Sequence, residues 1–315
     1  MLTKPAMDIG KVVDQFHSED WAIYNGDCVE TLSSIPDGRV HLSVFSPPYA
    51  ALYVYSASDR DMGNNRDHAR FFEHFDFVIT ELLRVTMPGR IVAVDCMNLP
   101  LMKERDGVIG LYDFRGEIIR HFVNAGFILH SEHVIWKDPL IEATRTKSIG
   151  LMHKQLCKDS TMCRSGLPQY LVAFRKPGEN AERVAHPAGL EYFVGLNGPK
   201  KGVLSHERWR RYASPIWDDV DFGKTLNATA ARDGQDERHI CPMSLDIIER
   251  AIHLWSNPRD VVLDPFSGVG STGYVAVKTN RKFIGVELKE SYYRQAVRNL
   301  KNAEKEQSPL FAASA

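Results

Sequence analysis

Ser46, Pro47, Pro48 and Tyr49 follow directly on the strand-like run RVHLSVF. Successive prolines lack N–H groups and hold their carbonyls outward as unpaired acceptors, and Ser46 adds a further oxygen. Such a corner can accept two hydrogen bonds from one NH2 group. An exocyclic base amine is a poor nucleophile because its lone pair is delocalised into the ring. Acceptors on its hydrogens favour the tetrahedral nitrogen of an alkylation transition state, where they accelerate the reaction. Tyr49 then supplies a stacking face for a base that has left the duplex to reach the reagent.

A second constellation lies far along the chain. VVLDPFSGVGSTGYVAV reads strand, glycine turn, helix, with Gly268, Gly270 and Gly273 in the GxGxxG pattern, and Glu287 follows Gly268 by 19 residues. This is the layout of a nucleoside-cofactor site, with Glu287 at the position of a ribose acid. A nicotinamide or flavin dinucleotide fits these features, but Asp264 argues against one, because its carboxylate would face the pyrophosphate. S-adenosylmethionine has no phosphate there. Its α-amino group can donate to Asp264, and its ribose to Glu287.

The elements that must position these residues alternate in type. WAIYNGD, RVHLSVF, RIVAVD, ILHSEHVIW, QYLVAFRK, DVVLD and RKFIGVE read as strands. HARFFEHFDFVITELLRVTMPGR carries apolar residues at helical spacing before a Pro88-Gly89 stop, and FRGEIIRHFVNAG and MSLDIIERAIHLWS read as further helices. From Pro177 to about Asp236 no period holds, which predicts an insertion of loops and short elements. The expectation is an α/β fold with a mostly parallel sheet covered by helices. It divides into 1–180 (catalytic half), 181–236 (insertion), 237–303 (cofactor half) and 304–315 (a frayed tail).

With 315 residues, 43% of them hydrophobic, the chain can bury a full core. It has no apolar run long enough for a membrane helix and no secretory signal, and its five scattered cysteines suit reduced thiols, so a soluble cytoplasmic protein is expected. The net charge of -1 gives no global sign of a polyanionic partner. Locally, 143–164 carries five Lys or Arg against one Asp, including Arg145, Lys147 and Lys154. The stretch 199–212 carries Lys200, Lys201, Arg208, Arg210 and Arg211 against one Glu, interleaved with Trp209 and Tyr212. The first reads as a basic loop for phosphates, and the second offers bidentate donors and aromatic wedges for base edges. His153, Cys157 and Cys163 lack a fourth ligand and fit no common zinc spacing, so no metal is expected.

YNGDCVETLSSIPDGRVHLSVFSPPY, TMPGRIVAV, and HICPMSLDIIERAIHLWSNPRDVVLDPFSGVGSTG with FIGVELKESYYRQAV resemble, in order and spacing, the blocks of amino-type DNA methyltransferases. These enzymes methylate N4 of cytosine or N6 of adenine. The resemblance is to the β group, with the catalytic block first and a target-recognition insertion before the cofactor block, and in particular to its phage and prophage members. It implies a Rossmann-like S-adenosylmethionine-dependent methyltransferase fold, seven-stranded with one antiparallel strand, and base flipping with direct transfer. By motif, Ser46, Pro47, Pro48 and Tyr49 would hold the target base. Asp264, Phe266, Gly268 and Gly270, with Ser271 and Thr272 beside them, would cradle the methionine part of the cofactor. Glu287 would hold its ribose, Asp27 would lie near its adenine, and His239 and Pro242 would line the methionine pocket, although HICPMS departs from the Lys-Pro often found there. Ser at the head of the corner leans toward N4 of cytosine over N6 of adenine. Double-stranded DNA is the implied substrate, a restriction endonuclease a possible companion, and a monomer or homodimer the expected state.

Overall fold

A computed structural model of the chain describes residues 12–49, 68–101, 103–146, 151, 153–186, 203–228, 231 and 242–307. Its strands are β1 (Asp14–His17), β2 (Trp21–Asn25), β3 (Val40–Phe45), β4 (Thr86–Cys96), β5 (Leu99–Leu101), β6 (Gly110–Tyr112), β7 (Ile128–Ile135), β8 (Gln169–Arg175), β9 (Ile216–Trp217), β10 (Val261–Asp264) and β11 (Lys282–Glu287). Among the described residues, nine of them form one sheet in the order β1-β2-β11-β10-β3-β4-β8-β7-β9, and β5 and β6 form a small hairpin. From β2 to β4 every neighbour is parallel, and β8 runs antiparallel between β4 and β7. The seven expected strands are therefore present with their single antiparallel member. The sheet is wider than expected because β1 adds antiparallel to β2 and β9 adds parallel to β7. Both additions are short edge strands, β1 mostly exposed and β9 only two residues long, with little periodic signal to read.

Helices cover both faces. The helix His68–Val85 buries Phe71, Phe72, Phe75, Val78, Ile79 and Leu82 against one face, with Phe114, Phe122 and Phe174. The opposite face packs Trp21, Leu42, Val44 and Ala93 against Ile247, Ile248, Ala251 and Ile252 of the helix Leu245–Trp255, and against Ala296 and Leu300 of the helix Glu290–Gln307. Removing one buried phenylalanine ring from such a core costs about 3–5 kcal/mol.

Two sequence expectations change. Pro88 and Gly89 do not stop the long helix, which ends at Val85. They lie inside β4, where Gly89 takes φ +75° beside a register shift of the β3–β4 pair. The basic segment 143–164 is not a plain loop either, since it holds the end of the helix Pro139–Thr146 and the helix His153–Lys158. The insertion contributes the helix Val203–Tyr212 and, through β9, a strand of the main sheet. No helix among the described residues is long and apolar enough to cross a membrane.

At the edge where the parallel strands begin, Arg90 ties the two halves of the chain together. Its guanidinium donates to the carbonyls of His41 (3.0 Å) and Glu182 (2.8 Å) and to the buried Asp260 carboxylate. His41, Glu182 and Asp260 are close enough together to suggest a metal. However, His41 Nδ1 accepts from the Val261 N–H (3.1 Å), which puts the imidazole proton on Nε2, facing Glu182. The group is a hydrogen-bonded ion network.

Candidate active site

The two motifs meet at the centre of the sheet. β10 and β3 are parallel neighbours with Leu263 beside Ser43, so Asp264 and the proline corner emerge at the same carboxyl edge, one strand spacing of about 4.8 Å apart. The sheet order reverses direction between these strands, because β10 continues outward to β11 and β3 to β4. Open α/β sheets bind ligands at such a crevice. Thr272, on the helix Ser271–Lys278 that follows the glycine turn, donates its hydroxyl to the Val44 carbonyl at 3.1 Å. This clamps the helix after the glycine turn to the strand that carries the corner. Thr272 was expected in the cofactor set, but its hydroxyl is turned inward and buried.

Asp264 is buried, and its Oδ1 accepts from the Phe266 N–H at 2.9 Å. Burial pushes its carboxyl up to about 7, against the opposing effect of the Phe266 N–H and of the nearby Thr272 hydroxyl. No cation among the described residues pairs with it. Gly268 sits at φ +52° with open space where a Cβ would be, and Gly270 takes φ +83° at the helix N-cap with Ala296 packed 3.0 Å from where its Cβ would stand. The Gly268 N–H donates to Glu287 Oε2 (2.7 Å), and Glu287 Oε1 accepts from the Lys289 N–H (2.8 Å). Ser271 Oγ is buried at the start of the same helix with no hydrogen-bond partner among the described residues. Phe266 is half-buried, its ring 5.7 Å from that of Phe45.

Asp27 caps the helix Cys28–Ser33 through the Glu30 N–H. It stands near Glu287, since burial and then these two carboxylates push the Cys28 thiol up. Asn25 links the two strand ends by donating to the Glu287 (2.8 Å) and Leu288 (3.0 Å) carbonyls. On the other side of the crevice Pro47 is buried, and Ser46, Pro48 and Tyr49 are half-buried. The Tyr49 ring leans on Phe114 at 5.7 Å, and Phe114 is held by Phe71 and Phe72, so the phenol is oriented by the aromatic core.

Two side chains beside the corner went unmarked in the sequence. Continuing the β3–β4 register one step past Phe45 and Val94 brings Asp95 alongside Ser46. Asp95 is buried and accepts from Gln169 Nε2, 2.6 Å to Oδ1. Burial pushes it up to about 7, offset by Gln169 and by the Lys137 ammonium. An acid at the end of the apolar run IVAV was the available signal. Asn25 and Gln169 left none, because their roles depend on which strands become neighbours.

The expected DNA-binding residues divide. Lys154, Arg210 and Arg211 are exposed, and the last two line a cleft of about 270 Å3 with Ser214, Ile216, Asp218 and Asp219. Arg208 is 7% exposed, with its guanidinium 4.8 Å over the ring of buried Tyr212. Both therefore pack the insertion onto the sheet and do not reach outward as donor and wedge. Lys147, Lys200, Lys201 and His239 lie outside the described residues, as does the side chain of Arg145. Pro242 is half-buried ahead of Ser244, the N-cap of the helix Leu245–Trp255.

The profile of the DNA methylase family (N6_N4_Mtase) matches residues 40–298, from the start of β3 into the last helix. The chain belongs to the DNA methylase family. This DNA methylase is 25% identical over 292 residues to the type II methyltransferase M1.MboII of Moraxella bovis, covering 87% of this chain and 94% of that one. Its fold is similar to TTHA0409 of Thermus thermophilus, solved with S-adenosyl-L-methionine, at TM-score 0.62 and 22% identity over 90% of this chain and 95% of that one. It is also similar to the PvuII DNA methyltransferase, described as cytosine-N4-specific, at TM-score 0.60 and 19% identity over 94% and 95%. The methylase is thus an S-adenosylmethionine-dependent enzyme of the N4-cytosine/N6-adenine class acting on DNA. Its residues fit that cofactor: a buried carboxylate without a cation, an orphaned serine hydroxyl, and a glycine turn with room beside it.

Proposed function

We propose that this methylase modifies N4 of cytosine within a specific duplex site, and that the base is swung out of the helix to reach the corner. The observation that carries the reading is the acceptor corner Ser46-Pro47-Pro48 standing one strand from Asp264 at the reversal point of the sheet. S-adenosylmethionine, when bound, supplies an electrophilic methyl carbon. Asp264 would accept from its ammonium group, Ser271 would satisfy its orphaned hydroxyl on the methionine end, Glu287 would hold the ribose, and Asp27 would border the adenine. The Ser46 oxygen and the Pro47 carbonyl take the two amine hydrogens and draw the nitrogen toward tetrahedral geometry. Tyr49, braced by Phe114, stacks on the base and fixes its plane. No general base is required, because the nitrogen becomes acidic as it is alkylated and releases its proton to water. Arg210 and Arg211 would read the surrounding sequence, with Lys154 on phosphate.

Serine at the head of the corner, in place of a carboxylate or amide, supports cytosine. The test is to incubate the protein with unmodified DNA and methyl-labelled S-adenosylmethionine, digest to nucleosides and weigh the labelled product. N4-methylcytosine is expected. N6-methyladenine would retain the site and overturn the base assignment. Label in neither nucleoside would overturn the functional reading.

A further inference from the structure

We propose that the tip of the helix Pro139–Thr146 is a wedge, with Leu140 and Ile141 entering the DNA base stack to fill the place of the flipped base. The inference rests on the reading of this protein as a base-flipping DNA methylase. β7 runs parallel to β3, and only β4 and β8 lie between them, so both strands end at the same edge, about 14 Å apart at three strand spacings. That distance is less than the width of a duplex. Trp136, Lys137 and Asp138 follow β7, and the helix begins at once.

Leu140 is 73% exposed and Ile141 67%, more than any other described leucine, isoleucine or aromatic residue. Aliphatic side chains that project from a nucleic-acid-facing edge are the kind that insert between base steps. The tip is rigidly mounted on both sides. Asp138 Oδ1 accepts from the Leu140 N–H (2.8 Å), and one turn on, the buried Glu142 accepts from Arg164 (3.1 Å) and from the Leu167 N–H (2.6 Å). Leu167 leads into β8, whose Gln169 holds Asp95 beside the corner. The wedge and the base site thus share one frame. Lys137 directly before the tip, and the exposed Lys154 and Lys158 later in the same connection between β7 and β8, are cations of the kind that a phosphate backbone attracts.

A wedge stabilises the flipped state, so its removal should matter only where flipping is costly. The experiment compares kcat/KM of wild type and Leu140→Ala/Ile141→Ala on two duplexes carrying the methylation site, one fully paired and one with the target base mispaired. Phe77→Ala, an exposed substitution on the helix His68–Val85, serves as the control and should leave both rates unchanged. The double variant should lose about tenfold or more on the paired duplex and stay within about twofold of wild type on the mispaired one, where unpairing is already accomplished. Equal losses on both duplexes, or no loss on the paired one, would overturn the wedge. A wild-type protein that labels neither duplex would overturn the functional reading and the wedge together.

Discussion

In the proposed reaction Ser46 and Tyr49 act on the amine and the base, whereas Asp264 acts on the cofactor, so substitutions should separate them. Ser46→Ala is expected to lower kcat about 10²-fold with S-adenosylmethionine affinity unchanged, the scale of one lost polar contact made in the transition state. Tyr49→Ala should weaken productive base binding by about 10- to 100-fold, the worth of one stacked base. Single-turnover rates and calorimetric titration on the same preparations would check both, and a parallel loss of cofactor affinity would contradict the assignment. Asp264→Asn should instead weaken cofactor binding about 10- to 100-fold, because a hydrogen bond to a charged group is lost. The pH dependence follows from the carboxyl standing near 7. A protonated acid keeps an acceptor oxygen but loses the charge that attracts an ammonium group, so wild-type affinity should fall as pH drops below about 7, and the Asn variant should show a flatter profile. Asp95, in similar burial beside Ser46, has a titration in the same range.

Among the elements, the glycine turn and the Arg90 network hold the site from opposite ends of the sheet. Asp260→Ala would strand the Arg90 guanidinium, which is 1% exposed, and should destabilise the fold by about 3–5 kcal/mol. Replacing both partners with apolar side chains of similar volume should recover much of that loss, since no buried charge is then left alone. Chemical denaturation of the two variants would measure it. The helix Val203–Tyr212 illustrates how an element reassigns its residues. Its Arg208 and Tyr212 form a cation–π pair inward, near Arg250 and Trp217, and Arg210 is left facing the cleft. Arg210→Ala should therefore weaken DNA binding and lower the salt slope by about one if it meets a phosphate, or relax the recognised sequence if it meets a base.

For the whole molecule, two buried carboxyls raised to about 7 set a pH trend in the cofactor-free state. Each folded-state pKa lies above the unfolded value of about 3.9, so the folded form binds these protons more tightly. The resulting stability is full below about pH 4 and is lost as pH rises through 7. Buried His133 and His253 act oppositely, lowered by burial, and they cost stability as pH falls through the unfolded histidine range of about 6.5. Asp264→Asn isolates one contribution: relative to wild type, the variant should gain thermal stability at pH 8 over pH 5. The sequence by itself determined the alternation of strands and helices, the acceptor corner, the glycine turn with its acid, and the family, because each is written in contiguous residues whose spacing is local physical chemistry. Only the tertiary structure decided that β10 lies against β3, that Asp95 lies beside Ser46 and is held there by Gln169, that Asn25 joins the ends of β2 and β11, and that Arg208 turns inward. The β10–β3 and Asn25 contacts join strands more than 200 residues apart and the Asp95–Gln169 contact spans 74, and pairing at such range is settled by the burial of two sheet faces at once, which no short stretch encodes.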